Sequence, residues 1–325
     1  MNNNEFIELF EKNYEKVKSH LGWSVDKRVA VMIASSYSSK GKSFNEQTFN
    51  EVIQAIKQQT KWYHTLRVSG NLQYCIAMML DGKGDTNSLV NELLVNEELL
   101  KSVKFTRTQY SYIAALFLPN DEANKKTIAE NAQKLYKTIR KHHPFLTSYE
   151  DVPFAVLLSS EVDDSEKRAA IMNRYYKELR ENNFYMGNEL QWLSQILTFY
   201  GTEYVEQLVP YVIEIRKQLN DNGIKIKHIH YPILGFLAIA GTNTAQINEI
   251  SNLFKELSKL KLLRWYKDII LSIAVQKYLC DLVNVNESLE MSIVTSFEML
   301  LQAEQAMMIS VTMAAVVASS SSSSS

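Results

Sequence analysis

The stretch LYKTIRKHHPFLTSYEDVPFAVLL, Leu135–Leu158, recurs along the chain. Its opening, Leu135-Tyr136-Lys137-Thr138-Ile139-Arg140, aligns with Tyr175-Tyr176-Lys177-Glu178-Leu179-Arg180 at an offset of 40 residues. Another 40 residues lead to Ile215-Arg216-Lys217-Gln218-Leu219, and 38 more to Leu253-Phe254-Lys255-Glu256-Leu257. Upstream, Val95–Leu99 and Ala55–Gln59 stand 40 and 80 residues before it. The closing half recurs independently: Leu80, Leu118, Leu158, Leu197 and Leu237 end apolar runs at gaps of 38, 40, 39 and 40. Two halves sharing one period near 40 mark a helical-repeat array.

Within the unit, Leu135 and Ile139 are four residues apart and share a helical face, while Lys137 points the other way. Lys57, Lys177, Lys217 and Lys255 are its equivalents, with Glu97 the exception, so a solvent-facing lysine column is expected. Three residues before each closing Leu stand Ala77, Ala115, Ala155 and Ser194, small enough for close helix approach; Leu234 breaks that column. One hairpin cannot bury its apolar stripe alone, so neighbouring hairpins must supply the other wall. The expected fold is all-α: about six helical hairpins in an α-solenoid, or alternatively a closed α/α toroid. Proximity of the helices around Ala30 and Val275 would distinguish the toroid.

One domain is expected over 1–318, with N-terminal helices in 1–44, hairpins in 45–283 and a capping helix in 284–318. The serine run 319–325 reads as disordered. Residues 5–21 and 26–37 have helical periodicity, and Asn45 or Ser43 can cap a helix reaching about Trp62. Asp121, Asp163 or Asp164, Thr202 and Thr244 precede first helices. Pro153 and Pro232 suit the first turn of second helices, and Pro210 should kink its helix or shorten its start.

Composition narrows the function classes. The 325 residues are 46% hydrophobic, enough for a large core, and only 10 Gly and 5 Pro speak against a turn-rich β fold. Thirty-five basic residues balance 36 acidic ones, which disfavours a general nucleic-acid binder. Cys75 and Cys280 lie in apolar runs and read as reduced thiols. MNNNEFIELFEK lacks the cationic start and apolar core of a secretory signal, so a cytoplasmic setting is expected. The longest apolar stretch, Ala306–Ala318, is too short to span a bilayer.

Motifs that carry chemistry are weak. Ser38–Ser43, SSKGKS, ends like a phosphate-binding loop, but Ser36 occupies the first-glycine position and the context is helical. Asp81–Glu92 mimics a calcium loop with Lys83 and Thr86 where a ligand and a glycine belong. His142-His143 and His228-x-His230 lie two repeats apart, too far for one zinc ion in an open array. No metal or cofactor is therefore expected.

Glu150, Asp151, Asp163 and Asp164 could supply paired acids, with His142 or His143 carrying a proton, yet helix capping explains the acids without any reaction. Tyr74, Tyr112 and Tyr231, six before their closing leucines, either line a binding surface or pack as core. Packing is the commoner use of such a stripe.

Lys141–Ser159, KHHPFLTSYEDVPFAVLLS, carries HPFLT followed by Asp-x-Pro. It resembles an uncharacterised family of Gram-positive bacterial proteins, a domain of unknown function, over most of the chain. That resemblance implies no activity, cofactor or site. The period also resembles HEAT and armadillo repeats in layout alone.

The residues favour a non-enzymatic scaffold that binds a protein or peptide along an inner face. The alternative is a toroid enzyme, hydrolase-like, using the clustered carboxylates. A nucleic-acid binder using the lysine column comes third.

Overall fold

The computed structural model describes residues 1–21, 26–159 and 164–285; Asp163 and the segment 286–325, with its expected capping helix and serine tail, lie outside them. The described residues form fifteen α-helices and no strand. By contact density the chain divides into two compact units, with the boundary between Ala129 and Glu130.

The first unit holds α1 (Asn3–Leu21), α2 (Lys27–Ser39), α3 (Glu46–Gln59), α4 (Thr65–Val68), α5 (Gly70–Leu80), α6 (Thr86–Ser102) and α7 (Gln109–Ala115). The boundary falls inside α8 (Glu122–His142). The second unit continues with α9 (Val152–Leu158), α10 (Ser165–Glu181), α11 (Asn188–Leu197), α12 (Leu208–Asp221), α13 (Tyr231–Ile239), α14 (Thr244–Leu257) and α15 (Ile270–Val285). In the first unit α1 packs on α2, α3 on α5 and α6, and α6 on α7. In the second, α10 packs on α11, α12 on α13 and α14 on α15, while α11–α13 and α12–α14 contacts join successive pairs.

Local chemistry starts the helices. Asp26, Asn45, Ser69, Asp85 and Asp164 each accept a hydrogen bond from a first-turn amide of the helix they precede. Asn243, rather than Thr244, caps α14 and forms a reciprocal box with Gln246. Thr202 caps nothing: α12 begins only at Leu208, so Pro210 lies in its first turn, where a missing N–H costs no bond. Pro153 and Pro232 open α9 and α13.

Helix ends are equally local. Lys104, Asn183 and Gly223 take left-handed φ of 79°, 62° and 86°. The amides after them, of Phe105, Phe184 and Ile224, bond back to the carbonyls of Leu100, Leu179 and Leu219, and their side chains are buried.

The aligned positions have matching environments. All five closing leucines are buried, as are Ala77, Ala115, Ala155 and Ser194. Lys57, Lys137, Lys177, Lys217 and Lys255 are all exposed. Glu97, the exception in that column, is buried.

Leu234 interrupts the small-residue column, and Gly235 beside it takes over the role. A Cβ on Gly235 would lie 2.9 Å from Leu193 Cδ1 and 3.0 Å from Ile196 Cγ2. Glycine is thus what lets α13 approach α11. Gly235→Val is expected to destabilise the fold by about 1–3 kcal/mol through overpacking. The denaturant midpoint measures it, and an unchanged midpoint would show that the contact relaxes freely.

Candidate functional site

Two kinds of polar feature stand out, one buried and one open. The buried one occupies the third or fourth position of α5, α7 and α11 and of the turns leading into α9 and α13. Ser111, Asp151 and His230 each stand seven residues before a closing leucine and are buried. Gln73 holds the same offset, while in the fourth copy Leu190 does, with buried Gln191 beside it.

Asp151 is the most constrained of these. One carboxylate oxygen accepts from Gln191 Nε2 at 2.8 Å and Gln195 Nε2 at 2.9 Å; the other accepts from the Ser148 amide at 2.8 Å. Burial outweighs these three donors and pushes its carboxyl up to about 6. His230 Nδ1 accepts from the Lys227 amide at 3.2 Å, and Nε2 stands 3.0 Å from the Asp268 carbonyl. Those partners require a neutral ring with its proton on Nε2, in keeping with a pKa lowered by burial. Ser111 Oγ donates to Glu97 Oε1 at 3.2 Å. Buried polar side chains thus join the turn before α9 to α11, the turn before α13 to the segment before α15, and α6 to α7.

Three of the four candidate acids have hydrogen-bond partners among the described residues, and Asp163 lies outside those residues. Asp151 is enclosed, Asp164 caps α10 through the Glu166 amide at 3.0 Å, and Glu150 accepts from Asn188 at 3.2 Å. His143 is buried against Tyr176, ring centroids 4.5 Å apart, and desolvation lowers its pKa to about 4. The imidazole is therefore neutral at pH 7 and shielded from solvent. His228 is exposed and stands 3.9 Å from Glu189.

The tyrosine stripe is packed. Tyr112 is buried with its hydroxyl 3.4 Å from His64 Nε2, and buried Tyr231 accepts from the Tyr185 amide at 3.1 Å. Half-buried Tyr74 stacks on Phe49 at 5.9 Å. Tyr112 and Tyr231 are thus buried, whereas Tyr74 keeps part of its ring at the surface.

Lys40, Lys42 and Ser43 of the SSKGKS stretch line a cavity of about 350 Å³ with Tyr37 and Asp81. The Lys40, Gly41 and Lys42 amides bond to the Tyr37 and Ser38 carbonyls, closing α2. They are spent on that helix end and cannot cradle a phosphate. Asp81 accepts from the Tyr37 hydroxyl and Asp85 from the Ser88 amide, so two acids of the calcium-like segment serve structure instead.

The open feature is a groove of about 910 Å³ between α3 and the start of α6. Gln47, Asn50, Gln54 and Gln58 recur every three or four residues along α3 and present carboxamides to it. Asn87 adds a fifth amide from α6. Glu46, Glu51 and Asp85 supply the charge, with no basic residue among the lining. The α3 half of this wall is visible as a polar helical face in the sequence. Its pairing with 84–87 is not, because those residues approach only through folding.

A family model described as protein of unknown function (DUF4003) matches residues 13–306. The chain belongs to that family. The uncharacterized protein YeaA of Bacillus subtilis (strain 168) is 27% identical over 305 residues, covering 90% of this chain and 89% of that protein. The DUF4003 match and this relative agree with the resemblance carried by Lys141–Ser159. No solved structure matches the chain.

Proposed function

We propose that this DUF4003 protein is a non-enzymatic binding scaffold whose groove beside α3 receives an extended, cation-bearing segment of a protein or peptide. One observation carries the reading: five carboxamides and three carboxylates line a single groove. A side-chain amide both donates and accepts, which matches the alternating N–H and C=O groups of an extended backbone. Glu46 meets His20 Nδ1 at 3.0 Å, but Glu51 and Asp85 have no basic side chain within ion-pair distance among the described residues, which favours Lys or Arg on the guest.

The stacked-hairpin layout and a cytoplasmic setting belong to the same proposal. Equivalent burial at equivalent repeat positions supports the first. Buried Cys75, which forms no disulfide, supports the second, as reduced thiols suit that compartment. No described helix is long and apolar enough to cross a membrane. The hydrolase alternative has less behind it, because Asp151 and Asp164 are occupied by helix-start amides. A nucleic-acid face is disfavoured where Glu178, Glu214 and Glu256 stand among the column lysines.

Fluorescence anisotropy of the full chain with short Lys/Arg-rich, neutral and acidic peptides tests the proposal. Basic peptides should bind best, and Glu51→Lys should weaken them by about tenfold or more, roughly the worth of one charged hydrogen bond. Equal affinity for all three peptide classes, or indifference to Glu51→Lys, would reject it.

A further inference from the structure

The second unit gathers four loops at one end. They are 143–148, 182–187, 222–230 and 258–269, each leading from a first helix to a second. Hydrogen bonds hold them or their flanking residues side by side. Asn188 reaches Glu150 at 3.2 Å, the Tyr185 amide reaches the Tyr231 hydroxyl at 3.1 Å, and His230 meets the Asp268 carbonyl at 3.0 Å.

This end exposes large apolar side chains. Phe145 is 99% exposed, Trp265 76%, Tyr185 75% and Met186 67%. The same loops expose Lys225, Lys227, Lys259, Lys261, Arg264 and Lys267. Among the described residues, none of these six cations has a carboxylate within ion-pair distance. Within two residues of these loops stand six acids, Glu150, Glu181, Glu189, Asp221, Glu256 and Asp268, against eight lysines and arginines, the six above with Lys141 and Arg180; Glu150 accepts from Asn188 and Glu189 faces His228.

We infer that this end of the second unit docks peripherally on an anionic membrane surface. Aromatic tips favour the headgroup boundary, where an apolar ring meets both lipid and water. Lysines without carboxylate partners, and Arg264 lying over the Trp265 ring at 5.1 Å, complement anionic headgroups. Adsorption of this kind inserts side chains only ~5–10 Å deep and needs no spanning helix. Nucleic acid fits less well. Packed helices stand ~8–10 Å apart, so rings carried on successive hairpins are too widely spaced to receive successive stacked bases. Met186 also offers no ring to stack on. The inference stands apart from the peptide groove, which lies in the other unit.

Co-sedimentation of the full chain with vesicles tests it, using phosphatidylcholine alone and phosphatidylcholine with about one-third phosphatidylglycerol, an anionic surface. Binding to the anionic vesicles is expected, weakening as salt rises. Lys225→Glu with Lys261→Glu should reduce partitioning by at least about fivefold for each charge. The triple substitution Phe145→Ser, Tyr185→Ser, Trp265→Ser should reduce it about tenfold or more by removing three interfacial anchors. These residues are exposed, so an unchanged circular dichroism spectrum confirms folding. Equal recovery with both vesicle types, no loss in the two variants, or binding to a single-stranded oligonucleotide in place of vesicles would overturn the inference.

Discussion

Replacing Arg107 with Met is expected to destabilise the protein by about 3–5 kcal/mol, the cost of leaving a buried charge without its partner. Glu97 is 1% exposed on α6. Its Oε2 meets Arg107 Nε at 2.7 Å and Nη2 at 2.6 Å, and Arg107 also reaches Glu98. Ser111 satisfies the other Glu97 oxygen. Removing the guanidinium leaves one hydroxyl to hold a carboxylate away from water. Chemical denaturation of Arg107→Met and of the pair Glu97→Leu, Arg107→Met measures the effect. The double variant should recover most of the loss, since no charge then remains to be solvated. A single-variant cost of ~1 kcal/mol or less would mean the pair behaves like a surface ion pair.

Asp151→Asn should reveal itself through pH. The Asp151 carboxyl is held at about 6 in the fold against 3.8 ordinarily, so the native state holds that proton more tightly than the unfolded chain. Its contribution is fully present below about pH 4 and is lost as pH rises through about 6. By about pH 7 the loss amounts to about 3 kcal/mol, from two units at ~1.4 kcal/mol each. Asparagine has no such ionisation. It keeps a carbonyl for Gln191 and Gln195 but loses the acceptor for the Ser148 amide. A fixed penalty of ~1 kcal/mol for the lost cap is therefore expected at every pH.

The stability of the Asn variant relative to the native chain should accordingly improve by about 3 kcal/mol between about pH 4 and pH 7. His143 opposes Asp151 in the native profile. Its pKa is lowered to about 4, so its contribution is present above the ordinary 6.5 and lost as pH falls toward 4. Both chains carry His143, and the difference between them isolates Asp151. Parallel pH profiles would show that Asp151 ionises without cost.

The all-α class could be read from the sequence because helix formation is decided over a few residues. The three- and four-residue spacing of Phe6, Phe10, Tyr14 and Val17 turned those side chains to one buried face. Asp26, Asn45 and Asp164 stopped free amides at helix starts, and the column lysines pointed outward as their position between apolar neighbours required. Thr202 failed as a cap because Pro210 favours a first-turn place and the helix starts just before it.

What faces what was settled by tertiary packing. Glu97 breaks the lysine column, and only the approach of Arg107 and Ser111 makes that substitution tolerable. Asp151 and Gln191 lie 40 residues apart, and Gly235 meets Leu193 and Ile196 across a helix interface. The amide face of α3 is written in its own spacing, but the wall opposite it and the aromatic end of the second unit arise when distant loops are brought side by side. Local spacing chooses the helix and its buried face. Burial, desolvation and partner choice depend on chain segments far apart in sequence, and those exist together only in the folded molecule.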